Sequence, residues 1–149
     1  MTELDTVKDL KVLFVGDAIM DEYVYVTTIG KAVKENALSS IKHKTEQFRG
    51  GVWAAANHLQ DFVAQVAVLK GPKMMINSRL VDDVYLRKLF VTHELVDNPV
   101  PQFDFSIGSF DLVIVTDFGH GTMTPELIER VTREARFLAV NAQTNATNY

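Results

Sequence analysis

The chain has 149 residues, of which 47% are hydrophobic, and this length suits one domain with its own core. Its net charge of −4 and its scattered basic residues argue against binding to nucleic acid or to an anionic membrane. The absence of cysteine excludes disulfides, thiolate zinc sites and thiol catalysis. The first residues lack the features of a secretory signal, and no apolar run approaches the ~18 residues of a membrane span, so a cytoplasmic location is expected.

The first part of the chain predicts a strand, a helix and a second strand. Lys11 to Val15 is a short apolar run that Gly16-Asp17 closes, and it predicts a strand. After Gly50-Gly51, apolar residues recur at helical spacing, at Val52, Ala55, Ala56, Leu59 and Phe62. Gln65 to Leu69 then predicts the second strand.

A second strand-helix-strand unit follows in the last part of the chain. Asp111 to Thr116 predicts a strand, and Thr124-Pro125-Glu126 opens a helix with a cap residue, a proline and an acid. The predicted buried face of this helix consists of Leu127, Ile128, Val131 and Ala135. Phe137 to Ala142 predicts another strand. The two units predict an α/β, Rossmann-like fold with a mainly parallel sheet and flanking helices.

Two stretches interrupt this alternation. Glu22 to Arg49 alternates in character and is rich in β-branched and aromatic residues, so it predicts a small β-flap that projects from the sheet. The expected organisation is one domain over residues 1–149 with this insertion at about 22–49. From Gly71 to Gly108 the pattern is weaker: residues 77–95 fit two strands or one helix, and residues 96–109 resemble loop.

Polar clusters follow the predicted strands at the positions where open α/β sheets bind ligands. Asp17 and Asp21 come after the first strand, Gly50-Gly51 precedes a helix, and Thr116 to Gly121 reads TDFGHG. The diglycine would bring the backbone and the free N–H groups of the next turn close to hydroxyl or anionic oxygens.

Each cluster also has a purely structural interpretation. A diglycine before a helix is often only a turn, and Asp117 is able to cap the turn that follows it. The four histidines lie apart, without the spacing of a zinc site, so no metal site is predicted. Trp53 and Phe62 are expected to be packing residues rather than residues that stack on bases.

Taken in order, these segments resemble the N-terminal part of a PfkB or ribokinase-type carbohydrate kinase. The resemblance rests on GDAIMD after the first strand, a β-flap, RGG before a helix, and TDFGHG followed by TPELI. Within the family it is nearest to the heptose-phosphate kinase domain of ADP-heptose synthases. It implies a ribokinase-like fold in truncated form, with the flap as a lid.

The resemblance also implies roles for individual residues. Asp21 matches the family aspartate that hydrogen-bonds sugar hydroxyls, and Asp17, which lies beside it in sequence, would assist it. Gly50 and Gly51 match the diglycine over which the sugar lies.

At the other end of the predicted cleft, Asp117, Gly119 and Gly121 match an Asp-Tyr-x-Lys-Gly step of the family, with Phe118 in place of tyrosine and His120 in place of lysine. Ser78 and Arg79 fall near a Thr-Arg pair, and this arginine would meet a substrate phosphate.

The sequence departs from the family pattern at several points. The family asparagine after the diglycine would fall at Ala54 or Ala55, whereas Asn57 comes about one turn later as the candidate sugar contact. The chain is much shorter than the family between Leu69 and Ser78 and between Val96 and Phe110, so helices expected there are abridged or absent.

The complete family uses ATP and Mg²⁺ to phosphorylate a sugar, and its second half supplies an Asn-x-x-Glu motif and a Gly-Ala-Gly-Asp loop with the catalytic base. Neither motif occurs in this sequence. We therefore expect a sugar or sugar phosphate as the partner, no catalytic residue and no cofactor in this chain, and no activity of the chain alone.

Two other functions stay open at this point. A non-catalytic interaction module on the same scaffold would pair through its flap, as a homodimer. A receiver-like signalling domain would explain an aspartate after a strand in DLVIVTDFGHG, but it requires an acidic pair directly after the first strand and a lysine after the last one, and both are absent.

Overall fold

The computed structural model describes residues 3–94, 96, 99 and 101–143. In chain order the strands and helices are β1 (Lys11–Gly16), β2 (Ala18–Lys31), β3 (Leu38–Gly51), α1 (Val52–Leu59), β4 (Gln65–Leu69), β5 (Met75–Asp82), β6 (Lys88–Glu94), β7 (Leu112–Asp117), α2 (Pro125–Glu134) and β8 (Leu138–Ala142). They form two compact units. The first draws on Met1–Ile19, Arg49–Met75 and Leu95–Tyr149, and the second on Met20–Phe48 and Ile76–Glu94.

The first unit is built on a parallel sheet in the order β4-β1-β7-β8. Its two central strands are β1 and β7, in a register that pairs Val12 with Leu112 and Gly16 with Thr116. Because both strands run in the same direction, their carboxyl ends lie side by side at one edge of the sheet. This register brings the residues that follow β1 next to the residues that follow β7.

The two faces of this sheet pack against different helices. Successive residues of β1 point to opposite faces, so Val12 and Phe14 join one hydrophobic cluster while Leu13 and Val15 join another. The cluster on the first face includes Val52 and Ala56 of α1. The cluster on the second face includes, besides Leu13 and Val15, the buried residues Leu69, Ile107, Phe110, Val113, Val115, Leu127 and Val131. The arrangement is the helix-sheet-helix layering of α/β folds.

The predicted elements of this unit are confirmed, with changes at their ends. Helix α1 ends at Leu59, so Phe62 lies beyond it and is exposed. In α2, Leu127 and Val131 are buried, but Ile128 is exposed, contrary to the prediction. Each residue along a helix adds a rotation of about 100°. Ile128 therefore points away from the face on which Leu127 and Val131 pack against the sheet.

The second unit is a separate sheet in the order β3-β2-β5-β6. Tyr25 Oη donates to Glu46 Oε2 at 3.0 Å, and Thr27 Oγ1 lies 2.8 Å from His43 Nε2. As the residue numbers rise along β2, the numbers of their partners on β3 fall, so β2 and β3 form an antiparallel hairpin. The prediction that residues 22–49 form a β-flap outside the main sheet is confirmed.

The flap is larger than its predicted range. The segment whose pattern fitted two strands or one helix forms β5 and β6, which pair antiparallel from Ile76↔Glu94 to Val81↔Lys88 and complete the flap sheet. The segment predicted to be loop has no helix or strand in its described residues, 96, 99 and 101–109, except for a 3-10 turn at Ile107–Ser109. No helix in the described part of the chain is long and apolar enough to cross a membrane.

We predict that part of the flap's stability depends on the ionisation of Glu22. Gln47 Nε2 and Ser78 Oγ each donate to this carboxylate at 2.9 Å, and these hydrogen bonds, from Gln47 first and Ser78 second, lower the pKa of Glu22. A lowered folded-state pKa contributes stability that is present above the unfolded pKa of about 4.3 and is lost as the pH falls through the folded pKa.

The measurement is the urea midpoint of the wild type and of Glu22→Gln between about pH 7 and pH 3. The wild type should be the more stable protein at neutral pH, and its advantage should shrink as the pH falls. Glu35→Gln, in the exposed segment between β2 and β3, is the matched control. An advantage over Glu22→Gln that stays constant with pH would contradict the prediction.

Candidate functional site

The backbone of Asp17 joins the two central strands of the first unit to the start of α1. Asp17 directly follows β1, and its N–H donates to the carbonyl of Thr116 at 3.3 Å. Its own carbonyl accepts from the N–H of Val52, the first residue of α1, at 2.9 Å. The carboxyl ends of β1 and β7 and the N-terminus of α1 therefore meet at this residue.

The carboxylate of Asp17 organises the loop that follows β7. Asp17 is only 1% exposed. Its Oδ2 accepts from the N–H groups of Phe118 at 2.8 Å and His120 at 3.2 Å, and its Oδ1 accepts from the N–H of Thr122 at 3.1 Å. Three backbone donors thus converge on one buried negative charge, which compensates its loss of hydration and fixes the loop. This side chain positions the loop from beneath.

Two glycines allow the loop to wrap around Asp17. Gly119 has φ 75° and Gly121 has φ 87°, in the left-handed region that residues with a side chain rarely adopt. When left-handed residues alternate with right-handed ones, successive backbone N–H groups point into one concavity, as in the backbone concavities that bind anions. Here the concavity is filled by a carboxylate of the chain itself.

Asp117 stands at the start of this loop, where β7 ends. Its Oδ1 accepts from the N–H of Gly119 at 2.8 Å, so the turn-capping role that the sequence left open is present. Its side chain is half-buried, and within the described residues its Oδ2 has no hydrogen bond. One carboxylate oxygen therefore holds the turn while the other is available to a ligand. His120 is also half-buried, and its backbone N–H is held by Asp17.

The diglycine lies against the other side of Asp17. Gly51 has φ 62°, and a Cβ built on it would lie 2.2 Å from the Asp17 carbonyl oxygen. Contact at that distance is impossible for a real side chain, so only glycine fits here. The structure thus brings Asp17, Gly50-Gly51 and residues 117–121 together at one sheet edge.

Asn57 is placed differently. It is exposed near the end of α1 and lines a cavity with Arg49, Trp53 and Gln60. It has no hydrogen bond to the loop of residues 117–121 in the described structure.

Two further candidates, Asp21 and Arg79, belong to the second unit. Asp21 on β2 and Arg79 on β5 form an ion pair in which both side chains are about a fifth to a quarter exposed, 26% and 18% respectively. Asn77 Nδ2 lies 3.5 Å from Asp21 Oδ1, and His93 Nδ1 lies 2.6 Å from Asn77 Oδ1. Arg79 also lies over the Tyr23 ring, 5.3 Å from its centroid. The flap therefore carries a polar cluster of opposite charges.

Some members of these clusters were missed in the sequence. Asn77 and His93 stand opposite one another in the β5–β6 register, but this pairing follows only once the segment is known to be two strands. Asn77 and Arg79 do share the strand period of two, and that alternation was the available signal. Nothing local to Asp17 indicated that its carboxylate binds backbone a hundred residues later.

No model of a known protein family matches the sequence, and no curated protein matches it. Solved structures do match its fold. A protein from Clostridium perfringens, described as a sugar kinase, gives a TM-score of 0.51 at 10% identity over 95% of this chain and 53% of its own. A protein from Staphylococcus aureus, described as a phosphofructokinase, gives 0.50 at 11% identity over 89% of this chain and 53% of its own.

The fold is ribokinase-like. This confirms the predicted class: a mainly parallel α/β sheet with flanking helices and a β-flap. The chain spans about half the length of these two structures. Identities near a tenth concern the fold, and a fold hosts many functions, so the function must be argued from the site.

Proposed function

We propose that this chain is the sugar- or sugar-phosphate-binding portion of a PfkB-type carbohydrate kinase of the heptose-phosphate branch. The observation that carries the proposal is the buried Asp17 carboxylate with its three backbone donors. It holds Asp117 and the Gly-His-Gly turn rigidly beside the Gly50-Gly51 turn, at the sheet edge where open α/β folds bind ligands. The kinase-like scaffold supports the same proposal.

The first unit offers complementary groups to a polyol. The unengaged oxygen of Asp117 accepts a hydrogen bond from a ligand hydroxyl, while its other oxygen stays on Gly119. Gly51 packs directly against the Asp17 carbonyl, and this places the start of α1 at the same edge, where a sugar ring is able to approach. His120 takes the place of a lysine in the family pattern and donates to a hydroxyl or phosphate oxygen.

The second unit offers a carboxylate and a guanidinium group to the same class of ligand. In the proposal, Asp21 accepts from sugar hydroxyls and Arg79 binds a phosphate. Both side chains stay partly exposed within their ion pair, so a ligand is able to reach them. A ligand that carries hydroxyl and phosphate groups gives each of them a new partner, which compensates for the broken pair.

We propose further that the chain binds its ligand without phosphorylating it. Phosphoryl transfer depends on positioning and on stabilising the phosphates, and the Asn-x-x-Glu and Gly-Ala-Gly-Asp motifs that serve these roles in the family do not occur in this sequence. The described residues hold no group of three or more Asp, Glu or His side chains suited to a metal ion, so the proposal assigns no role to Mg²⁺.

Calorimetric titration of ribose, fructose 6-phosphate and a heptose 7-phosphate tests this function. At least one should bind, and Asp117→Ala should weaken its binding at least about tenfold, since a lost hydrogen bond to a charged group costs about 1.5–3 kcal/mol. Asp104→Ala, an exposed aspartate in the loop before β7, is the control. ATP-dependent phosphorylation by the purified chain that Asp117→Ala abolishes would contradict the proposed inactivity.

A second function, a non-catalytic module that pairs through its flap, is favoured by the surface of the second unit. Ile29, Ile41 and Phe48 are 63%, 52% and 53% exposed. Tyr23 of β2 and Phe48 of β3 lie edge to face, with 5.8 Å between ring centroids, so the two strands present aromatic groups next to each other. Burial of such groups against a second copy would remove them from water.

We predict a homodimer in sedimentation velocity at micromolar concentration. Ile41→Glu should convert it to a monomer, because the charge would be buried without a partner in the interface. Val84→Glu, at another exposed apolar position in the turn between β5 and β6, should leave the dimer intact. A monomeric wild type at these concentrations would count against pairing through the flap.

A further inference from the structure

A cavity of about 630 Å³ lies in the first unit, beside α1 and β4. Arg49, Trp53, Asn57 and Gln60 supply its polar wall, and Val66 and Val68 of β4 supply an apolar one. None of residues 117–122, which form the loop held by Asp17, lines this cavity. Cavities of roughly 300 to 1,000 Å³ are the usual size of small-molecule sites.

Two cations are held at the Trp53 ring beside this cavity. The Arg49 guanidinium carbon is 5.3 Å from the ring centroid, and Lys70 Nζ is 5.2 Å from it. Lys70 Nζ also donates to the Gly71 carbonyl at 3.3 Å. Both cations therefore contact the same aromatic ring.

These cations lack an acidic partner. In the described part of the chain, neither Arg49 nor Lys70 forms an ion pair, whereas several other basic residues do. No aspartate or glutamate lines the cavity. Two like charges at one ring, without a counter-charge, produce a local positive potential in a chain whose net charge is −4, and this potential attracts an anion.

The shape and lining of the cavity define the anion more closely. Its volume is many times that of a phosphate group, and Val66, Val68 and Ala54 offer an apolar surface to the remainder of a ligand. The amides of Asn57 and Gln60 add donors and acceptors at the rim. An arginine with a lysine is a pairing suited to the doubly charged phosphate monoester.

We propose that this cavity binds an organic phosphate, with its phosphate group at Arg49 and Lys70 and its carbon skeleton against the Val66 and Val68 wall. The residues of this site differ from those of the proposed sugar site. Binding of an organic phosphate here therefore does not depend on whether the chain binds a sugar.

Trp53 is the only tryptophan of the chain, so its fluorescence reports directly on this cavity. The probes are phenyl phosphate, inorganic phosphate, benzoate and phenol. Phenyl phosphate should change the emission with a saturable dependence. Benzoate, with one negative charge, and phenol, with none, should bind at least about fivefold more weakly, and inorganic phosphate should be weaker than phenyl phosphate because it lacks the apolar part.

Variants locate the binding. Arg49→Gln and Lys70→Gln should each raise the dissociation constant of phenyl phosphate at least about tenfold. Lys88→Gln, an exposed lysine of the flap, should leave it unchanged. Circular dichroism checks that each variant is folded, and two separate cation variants keep the test decisive if one misfolds. Equal binding in Arg49→Gln, Lys70→Gln and Lys88→Gln, or phenol binding as tightly as phenyl phosphate, would overturn the proposal.

Discussion

Asp17→Ala is expected to lower the free energy of unfolding by about 3–5 kcal/mol. The substitution removes a buried acceptor and leaves the N–H groups of Phe118, His120 and Thr122 without their partner. Each unsatisfied buried donor costs about 1–3 kcal/mol, and water that enters the loop recovers part of that cost. The effect is large because one side chain serves three donors.

Urea unfolding followed by Trp53 fluorescence measures this loss, because Trp53 lies in the same unit as Asp17. Asp17→Asn should fall between the wild type and Asp17→Ala, since its amide keeps one oxygen acceptor. Asp61→Ala, an exposed aspartate just after α1, should change the stability by no more than about 0.5 kcal/mol. A loss in Asp17→Ala no larger than in Asp61→Ala would show that the carboxylate does not hold the loop.

Gly51→Ala should cost at least about 3 kcal/mol, because two penalties act together. Its φ of 62° is unfavourable for any residue with a side chain, and its Cβ would lie 2.2 Å from the Asp17 carbonyl oxygen. Relief of the clash would push α1 away from Asp17 and break the hydrogen bond from Val52, which is 2.9 Å long.

Gly121→Ala separates these two penalties. Its φ of 87° is also in the left-handed region, but apart from its own residue and its two chain neighbours no atom lies within 4 Å of the position of its Cβ. It should therefore cost only the backbone strain, about 1–2 kcal/mol. Chemical denaturation of both variants under the same conditions gives the difference, and equal losses would mean that the close approach at Gly51 is not limiting.

The main sheet was predictable because its signals are local. Lys11 to Val15 and Gln65 to Leu69 are apolar runs between turn residues, and both are strands at almost those limits. Thr124-Pro125-Glu126 predicted the start of α2, where Thr124 Oγ1 accepts from the N–H of Leu127 at 3.3 Å. Caps and periodicity act within a few residues, so one sequence is enough to detect them.

The flap and the site depended on contacts that are distant in sequence. β5 is partly buried, whereas β6 is exposed along its whole length. The pattern of this segment did not separate strand from helix until the pairing of β5 with β2 and with β6 was known. Asp17 was predicted to assist a sugar contact, whereas its carboxylate binds the backbone of residues 118–122. The partner of Asp21 is Arg79, which was assigned to a phosphate from the resemblance. Such pairings arise from strand order, which periodicity does not encode.

The central claim is that a sugar or sugar phosphate binds at the loop after β7. Amide chemical shifts measured during titration with ribose, fructose 6-phosphate and a heptose 7-phosphate test it most directly. We expect at least one ligand to shift the amides of residues 118–122 and 50–52 in a saturable way. With its fold intact, Asp117→Ala should need at least about tenfold more ligand for the same changes. Saturable shifts confined to other parts of the chain, or no shifts with any of the three ligands, would contradict it.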